Sequence, residues 1–66
     1  MALELVGRMG LVSADVPAGG EHRGEVMVTG QAYYALPADA AHPIAKGTRI
    51  VVVEYYPPRT VVVAPI

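Results

Sequence analysis

Few residues of this chain could perform nucleophilic or acid–base chemistry. Ser13 is the only serine, His22 and His42 are the only histidines, and cysteine is absent. A serine nucleophile needs a histidine base and a sharply turned backbone such as the Gly-x-Ser-x-Gly elbow. Ser13 lies instead within a run of strand-forming residues, without that elbow. We therefore expect an ordinary strand-end serine and a chain that is not an enzyme.

The histidines also lack the spacing of a metal site. A structural zinc ion takes about four ligands, usually supplied in closely spaced pairs. His22 and His42 lie far apart in the sequence, and each has one acidic residue nearby. The tripeptide Lys46-Gly47-Thr48 reverses the residue order of a phosphate-binding loop and is typical of a turn. We expect neither a metal nor a cofactor.

Composition limits the size and class of the protein. The chain has 66 residues, of which 53% are hydrophobic and 17% are charged, and this indicates one small folded domain over residues 1–66. The net charge of −1 argues against a nucleic-acid binder that depends on a basic surplus. Stretches free of charge and proline fall short of the ~20 residues that span a bilayer, so we expect a soluble segment.

Runs of β-branched and aromatic residues predict five strands. Pro57-Pro58 marks a turn between the last two, and Thr29-Gly30 is a plausible two-residue hairpin loop. Glycines within the first strand predict a bend. The predicted elements are a long strand over residues 3–16, a hairpin over 24–35, a connector over 36–45, and strands over 48–56 and 60–64.

The hairpin loop also fixes a register. A two-residue loop pairs Val28 with Gln31 and Val26 with Tyr33. The better core face then comprises Val26, Val28, Tyr33 and Ala35, and the opposite face comprises Glu25, Met27, Ala32 and Tyr34.

Five short strands in so apolar a chain favour a closed sheet, because an open one would leave two edges unpaired. We predict an all-β protein, a five-stranded Greek-key barrel of the OB-fold type. An SH3-like barrel is the structural alternative, and the long connector between the third and fourth strands favours the OB-fold.

The fourth strand breaks the usual alternation, because residues 50–53 are apolar on both faces. Either a bulge or barrel closure buries both sets, or Val51 and Val53 lie outside beside Tyr55. In the second case they contribute to an exposed apolar patch, a feature that often marks a contact with a protein or a membrane. The candidate partner surface comprises four residues: Met27, Tyr34, Val51 and Tyr55.

An OB barrel also raises the alternative of single-stranded nucleic-acid binding. Such binding combines a basic groove with aromatic side chains on which bases stack. Tyr34, Tyr55 and Tyr56 could provide the stacking, but the five basic residues are scattered and are offset by six acidic ones. Nucleic-acid binding is therefore the secondary hypothesis.

In this order, the elements resemble the C-terminal domain of the NfeD family. The resemblance covers about residues 4–65 and depends on four segments: 5–10, 24–35, 44–54 and 60–65. The first segment contains the motif Val-Gly-Arg-x-Gly, and the third contains Lys-Gly-Thr-Arg-Ile. Tyr33 stands where the family commonly has tryptophan or a similar aromatic residue, and it keeps the core role of that position. Tyr34 replaces a usually polar residue and Val51 an often basic one, which makes the outer surface more apolar than is usual.

The resemblance implies an OB-fold domain that follows transmembrane helices in a membrane protein. Longer members also carry a Clp-type serine-protease domain, and we expect these 66 residues to contain no part of it. The family is associated with stomatin- and prohibitin-like proteins in membrane quality control. By this resemblance we expect the soluble, non-enzymatic module of a longer membrane-associated protein, acting as an interaction module for a stomatin-like partner.

Overall fold

The computed structural model describes residues 4–66, and its secondary structure consists of five strands. They form a closed barrel in the order β1-β2-β3-β5-β4. Every neighbouring pair is antiparallel except β3 and β5, which are parallel. The insertion of β5 between β3 and β4 is the OB-fold arrangement, so the predicted fold class is confirmed over the SH3-like alternative. The strands are β1 (Met9–Ala14), β2 (Gly24–Val28), β3 (Gln31–Pro37), β4 (Arg49–Tyr56) and β5 (Thr60–Pro65).

Alternate residues of all five strands fill the barrel interior. Most are valines, whose branched side chains suit a pleated surface and a narrow barrel. Within residues 4–66 no polar side chain is buried, so apolar packing alone fills the interior. The core residues are Leu5, Val12, Val16, Val26, Val28, Tyr33, Ala35, Ile44, Ile50, Val52, Val61 and Val63.

The β2–β3 hairpin has the predicted register. Val28 pairs with Gln31 and Val26 with Tyr33. Thr29 and Gly30 have φ values of 51° and 80°, and positive φ at both loop residues is typical of a type I′ turn, which matches the twist of the strands. The two faces are therefore those that the sequence predicted.

The prediction for the first strand was wrong in its length. Leu3 lies outside the described residues, and β1 begins only at Met9. Gly7 has a φ of 92°, and the Arg8 amide donates to the Leu5 carbonyl at 2.9 Å, so the chain turns before β1. After β1, Val16 is joined by a single bridge to Ile44.

The third strand continues two residues beyond the predicted hairpin, to Pro37. The chain then reaches β4 through turns and bends, stabilised by the bridge from Ile44 to Val16. In the part of the chain that the structure describes, no helix is long and apolar enough to cross a bilayer.

Gly24 lies where β2 passes closest to the end of β1. A Cβ at this position would lie 2.5 Å from the Asp15 carbonyl oxygen and 2.7 Å from the Val16 Cα. Because both atoms belong to the backbone, they cannot move without shifting the strand.

We expect Gly24→Ala to reduce the free energy of unfolding by at least about 2 kcal/mol, because the added methyl group forces the two strands apart. Gly19→Ala is the control: a Cβ there meets no atom within 4 Å, and its cost comes only from a φ of 96°, about 1 kcal/mol. Urea denaturation followed by circular dichroism measures both. Equal stability of the two variants would contradict the close approach.

Candidate protein-interaction surface

The structure places three of the four predicted surface residues on the outside of the barrel. Met27 is 40% exposed and Tyr34 is 49% exposed, while Val51 is half-buried on the outer face of β4. Tyr55 does not join them, because its side chain packs against the core. The predicted surface therefore divides into two outer regions, one around Met27 and Val51 and one around Tyr34.

Two residues of β1 connect Met27 with Val51. Leu11 pairs with Met27 on β2, and Met9 pairs with Val51 on β4. Met9 and Leu11 are two positions apart, so they share the outer face of β1, and they are 69% and 48% exposed. We call this continuous surface the apolar patch; it comprises Met9, Leu11, Met27 and Val51.

Sequence reasoning missed Met9 and Leu11. It treated residues 3–16 as one strand interrupted by glycines and assigned no faces to it. The sequence carries no clear signal for their orientation, because Leu11 and Val12 are both apolar although only Val12 is buried.

Tyr55 points inward because β4 contains a bulge. The register with β5 shifts between Val52 and Glu54, so Val53 is the extra residue and is 38% exposed. One extra residue reverses the faces of the positions that follow it. The ring of Tyr55 meets that of Tyr33 edge to face at a centroid separation of 6.4 Å, and its hydroxyl donates to the Pro58 carbonyl at 3.0 Å.

The Tyr34 region carries two arginines. The Arg23 guanidinium lies 4.5 Å from the centre of the Tyr34 ring, and its Nη1 donates to Thr60 Oγ1 at 3.5 Å. Nη1 of Arg59 donates to the Ala32 carbonyl at 3.4 Å. We call Arg23, Tyr34 and Arg59 the arginine–tyrosine cluster. The cluster presents positive charge on the outer face of β3, next to β5.

The residues considered for catalysis have separate hydrogen-bond partners. Ser13 Oγ donates to Glu25 Oε1 across β1 and β2 at 2.9 Å, whereas His42 Nδ1 pairs with Asp39 Oδ2 at 2.8 Å. Among residues 4–66, no group of three or more histidine or acidic side chains is placed to hold a metal ion. Ser13 therefore serves to hold Glu25 on the outer face.

The Asp39–His42 pair lies in the loop between β3 and β4. It borders an apolar surface depression of about 390 Å³, to which Pro37, Pro43 and Pro65 also contribute. The hydrogen bond from His42, followed by that from the Ala41 amide, holds the pKa of Asp39 below its ordinary value.

Comparison with known proteins identifies the family of this barrel. The sequence model of the NfeD C-terminal domain matches residues 9–64, which include nearly all of the five strands. The chain belongs to the NfeD C-terminal domain family. The resemblance seen in the sequence is thereby confirmed.

Solved structures that are similar to this NfeD domain include the following two. One is the soluble domain of a membrane protein implicated in regulation of membrane protease activity, from Corynebacterium glutamicum; it is 30% identical, with a TM-score of 0.78, over 89% of this chain and 87% of that one. The other is the C-terminal domain of a stomatin operon partner protein from Pyrococcus horikoshii. It is 22% identical, with a TM-score of 0.76, over 94% and 88% of the two chains, and supports the fold alone. Among curated proteins, none matches significantly.

The position of Tyr55 predicts a structural role for its ring. We expect Tyr55→Ala to lower the free energy of unfolding by about 3 kcal/mol, because the ring packs against the core. Tyr55→Phe should cost only about 1 kcal/mol, since it removes the hydrogen bond to Pro58 but keeps the contact with Tyr33. Thermal unfolding of both variants measures this difference, and a neutral Tyr55→Ala would show that the ring belongs to the outer surface instead.

The Asp39–His42 pair in the β3–β4 loop predicts a measurable change in the pKa of Asp39 when His42 is replaced. His42→Ala should raise the pKa of Asp39 toward 3.8, its ordinary value, because the main hydrogen bond to the carboxylate is lost. Since the folded pKa is lowered, the pair stabilises the fold above the unfolded pKa and loses that effect as the pH falls through the folded pKa. NMR titration of the Asp39 carboxyl carbon measures the shift. An unchanged pKa would show that the pair does not form in solution.

Proposed function

We propose that this NfeD domain is a non-catalytic interaction module, and that it binds a stomatin-like membrane protein as part of a longer membrane-associated protein. The observation that carries the proposal is the apolar patch on β1, β2 and β4. Its four side chains are continuous across three strands and lie on the outside of a barrel whose interior is already filled.

The composition of the patch supports contact with a protein. Contiguous exposed apolar surface on a small domain marks an interaction site more often than isolated residues do. Met9 and Met27 are both exposed, and the flexible thioether side chain adapts to an uneven partner surface. The patch therefore suits a partner that buries it against side chains of its own.

Barrel closure determines how a partner can bind. Because β4 pairs with β1, the sheet formed by residues 4–66 has no free edge strand, and a partner cannot add a strand to this sheet. Binding must depend on the side chains of the outer face. A stomatin-like partner is what the family resemblance implies, and the names of the two similar proteins agree with it: the Pyrococcus domain belongs to a stomatin operon partner protein, and the Corynebacterium domain comes from a membrane protein.

Replacing both exposed methionines tests the proposal. We expect Met9→Lys/Met27→Lys to weaken binding to the stomatin-like protein of the same organism at least about tenfold, because two charges are desolvated at the centre of the contact. Isothermal titration calorimetry measures the dissociation constant, and thermal unfolding confirms that the variant folds.

Tyr56→Lys is the matched control. Tyr56 is 53% exposed and lies five positions beyond Val51 on β4, where its hydroxyl donates to Glu54 at 2.5 Å. This hydrogen bond raises the pKa of Tyr56, and a lysine there remains next to a carboxylate. The control should bind like the unsubstituted chain. Equal binding by all variants, or no binding by the unsubstituted chain, would refute the proposal.

Single-stranded nucleic-acid binding is the second candidate, and the arginine–tyrosine cluster is the observation that favours it. OB-folds bind oligonucleotides on the face of strands 2 and 3 and on the adjoining loops, and Tyr34 lies on β3. Two observations rank it second: Arg23 already covers the Tyr34 ring, and Glu25 pairs with Tyr34 across the strands.

A further inference from the structure

We propose that the partner segment bound by this domain is acidic as well as apolar, and that it lies in an extended conformation around the barrel. Its apolar side chains cover the apolar patch, and a carboxylate of the same segment contacts Arg23 and Arg59. The inference rests on the proposed function, because it specifies the chemistry of that partner.

The patch and the cluster are neighbouring regions of the outer surface, connected through Ala32 and Met27. Ala32 is two positions before Tyr34 on β3, and both residues face outward. Ala32 pairs with Met27, which in turn pairs with Leu11. Arg59 donates to the Ala32 carbonyl, so its guanidinium contacts the backbone of the residue that pairs with Met27.

The two guanidinium groups of the cluster are held in place but are not neutralised. Over residues 4–66 the only ion pair within 4 Å joins His42 and Asp39. Apart from the Tyr34 ring beneath Arg23, the side-chain hydrogen bonds of Arg23 and Arg59 go to a hydroxyl and a carbonyl, at 3.5 and 3.4 Å, which are long distances for hydrogen bonds. A carboxylate of the partner would supply the stronger, charge-assisted acceptor that both lack.

The surrounding charges indicate where this carboxylate lies. Glu25 pairs with Tyr34 on the β2 side and is held there by the hydrogen bond from Ser13. Arg59 immediately precedes β5, and the Arg23 side chain, which starts next to β2, extends over the Tyr34 ring as far as Thr60 of β5, so both guanidinium groups contact the β5 side. An incoming carboxylate is therefore attracted to the β5 side of Tyr34 and repelled from the β2 side. On β4, Arg49 lies opposite Leu11 and adds a third cation at the border of the patch.

Barrel curvature favours an extended segment over a flat surface. In a closed barrel of five strands, each step from strand to strand turns the outer surface by about a fifth of a circle. Tyr34 on β3 and Leu11 on β1 are two steps apart, so a planar bilayer cannot contact both. A nucleic acid would bring further phosphates close to Glu25 without using the apolar patch. An extended protein segment can contact both the apolar patch and the arginine–tyrosine cluster.

The test compares two synthetic peptides of about twelve residues, kept extended by prolines: one alternates glutamate with leucine, and the other alternates lysine with leucine. We expect the acidic peptide to bind at least about tenfold more tightly, and its affinity to fall between about 50 and about 300 mM salt, as screening requires. NMR titration of the chain should place the shifts at Tyr34, Ala32 and Met27. Equal binding of both peptides, or no shift at millimolar peptide, would overturn the inference.

A charge-matched pair of variants assigns the effect to the cluster. Arg23→Gln/Arg59→Gln should abolish the preference for the acidic peptide, whereas Arg8→Gln/Lys46→Gln, which removes two other exposed cations, should retain it. Thermal unfolding confirms that both variants fold. Retention of the preference by the first variant would overturn the inference. So would tighter binding of an oligothymidine, or of phosphatidylglycerol vesicles, than of the acidic peptide.

The two proposals can fail separately. If the stomatin-like protein binds the Arg23→Gln/Arg59→Gln variant normally but not the Met9→Lys/Met27→Lys variant, the proposed function stands and the acidic segment is rejected. If the acidic peptide binds as expected and the stomatin-like protein does not bind at all, the surface has the stated preference and the partner is a different protein.

Discussion

The pairing of β1 with β4 is the constraint on which the rest of this structure depends. Only three residue pairs make it, Met9 with Val51, Gly10 with Ile50 and Leu11 with Arg49, yet it converts an open sheet into a barrel whose interior can be filled. A domain of about 60 residues buries only about 60% of the surface that its unfolded chain exposes, so an open sheet with one face in water would lose much of this small core. Because side chains alternate, the register that places Ile50 inside also places Met9, Leu11 and Val51 outside. Closure therefore creates the apolar patch as well as the core.

Local features of the sequence determined what could be predicted. The register of the β2–β3 hairpin could be predicted from a loop of two residues and from the alternation of Val26 and Val28. Both features lie within a segment of about a dozen residues. The orientation of Tyr55 did not follow, because it depends on the bulge at Val53, and in an all-apolar run no residue marks where the extra position falls. The length of β1 was overestimated for a related reason: Gly7 and Gly10 look alike in sequence, but one forms a turn at positive φ and the other lies within a strand.

The arginine–tyrosine cluster could not be predicted from the sequence for a different reason. Tyr34 was identified from its strand face, but Arg23 and Arg59 come from loops that precede β2 and β5 and are 36 positions apart. Counted along the chain they belong to a scattered set of five basic residues. The barrel order brings β3 next to both β2 and β5, and this adjacency, which hydrophobic patterning does not encode, places two cations around one tyrosine.

Because successive side chains of a strand point to opposite faces, the residues of the outer face can be substituted independently of those in the core. Tyr33 packs in the core beside Tyr55, while its neighbour Tyr34 is exposed and touches Arg23. A substitution at Tyr34 or Val51 therefore alters the outer surface without altering the volume of the core. This accounts for a barrel that keeps its shape at 30% identity to its Corynebacterium neighbour, with a TM-score of 0.78, since the shape depends on the inward half of each strand. Differences in partner recognition between members of the family should accordingly arise at outward positions, where a change costs little stability.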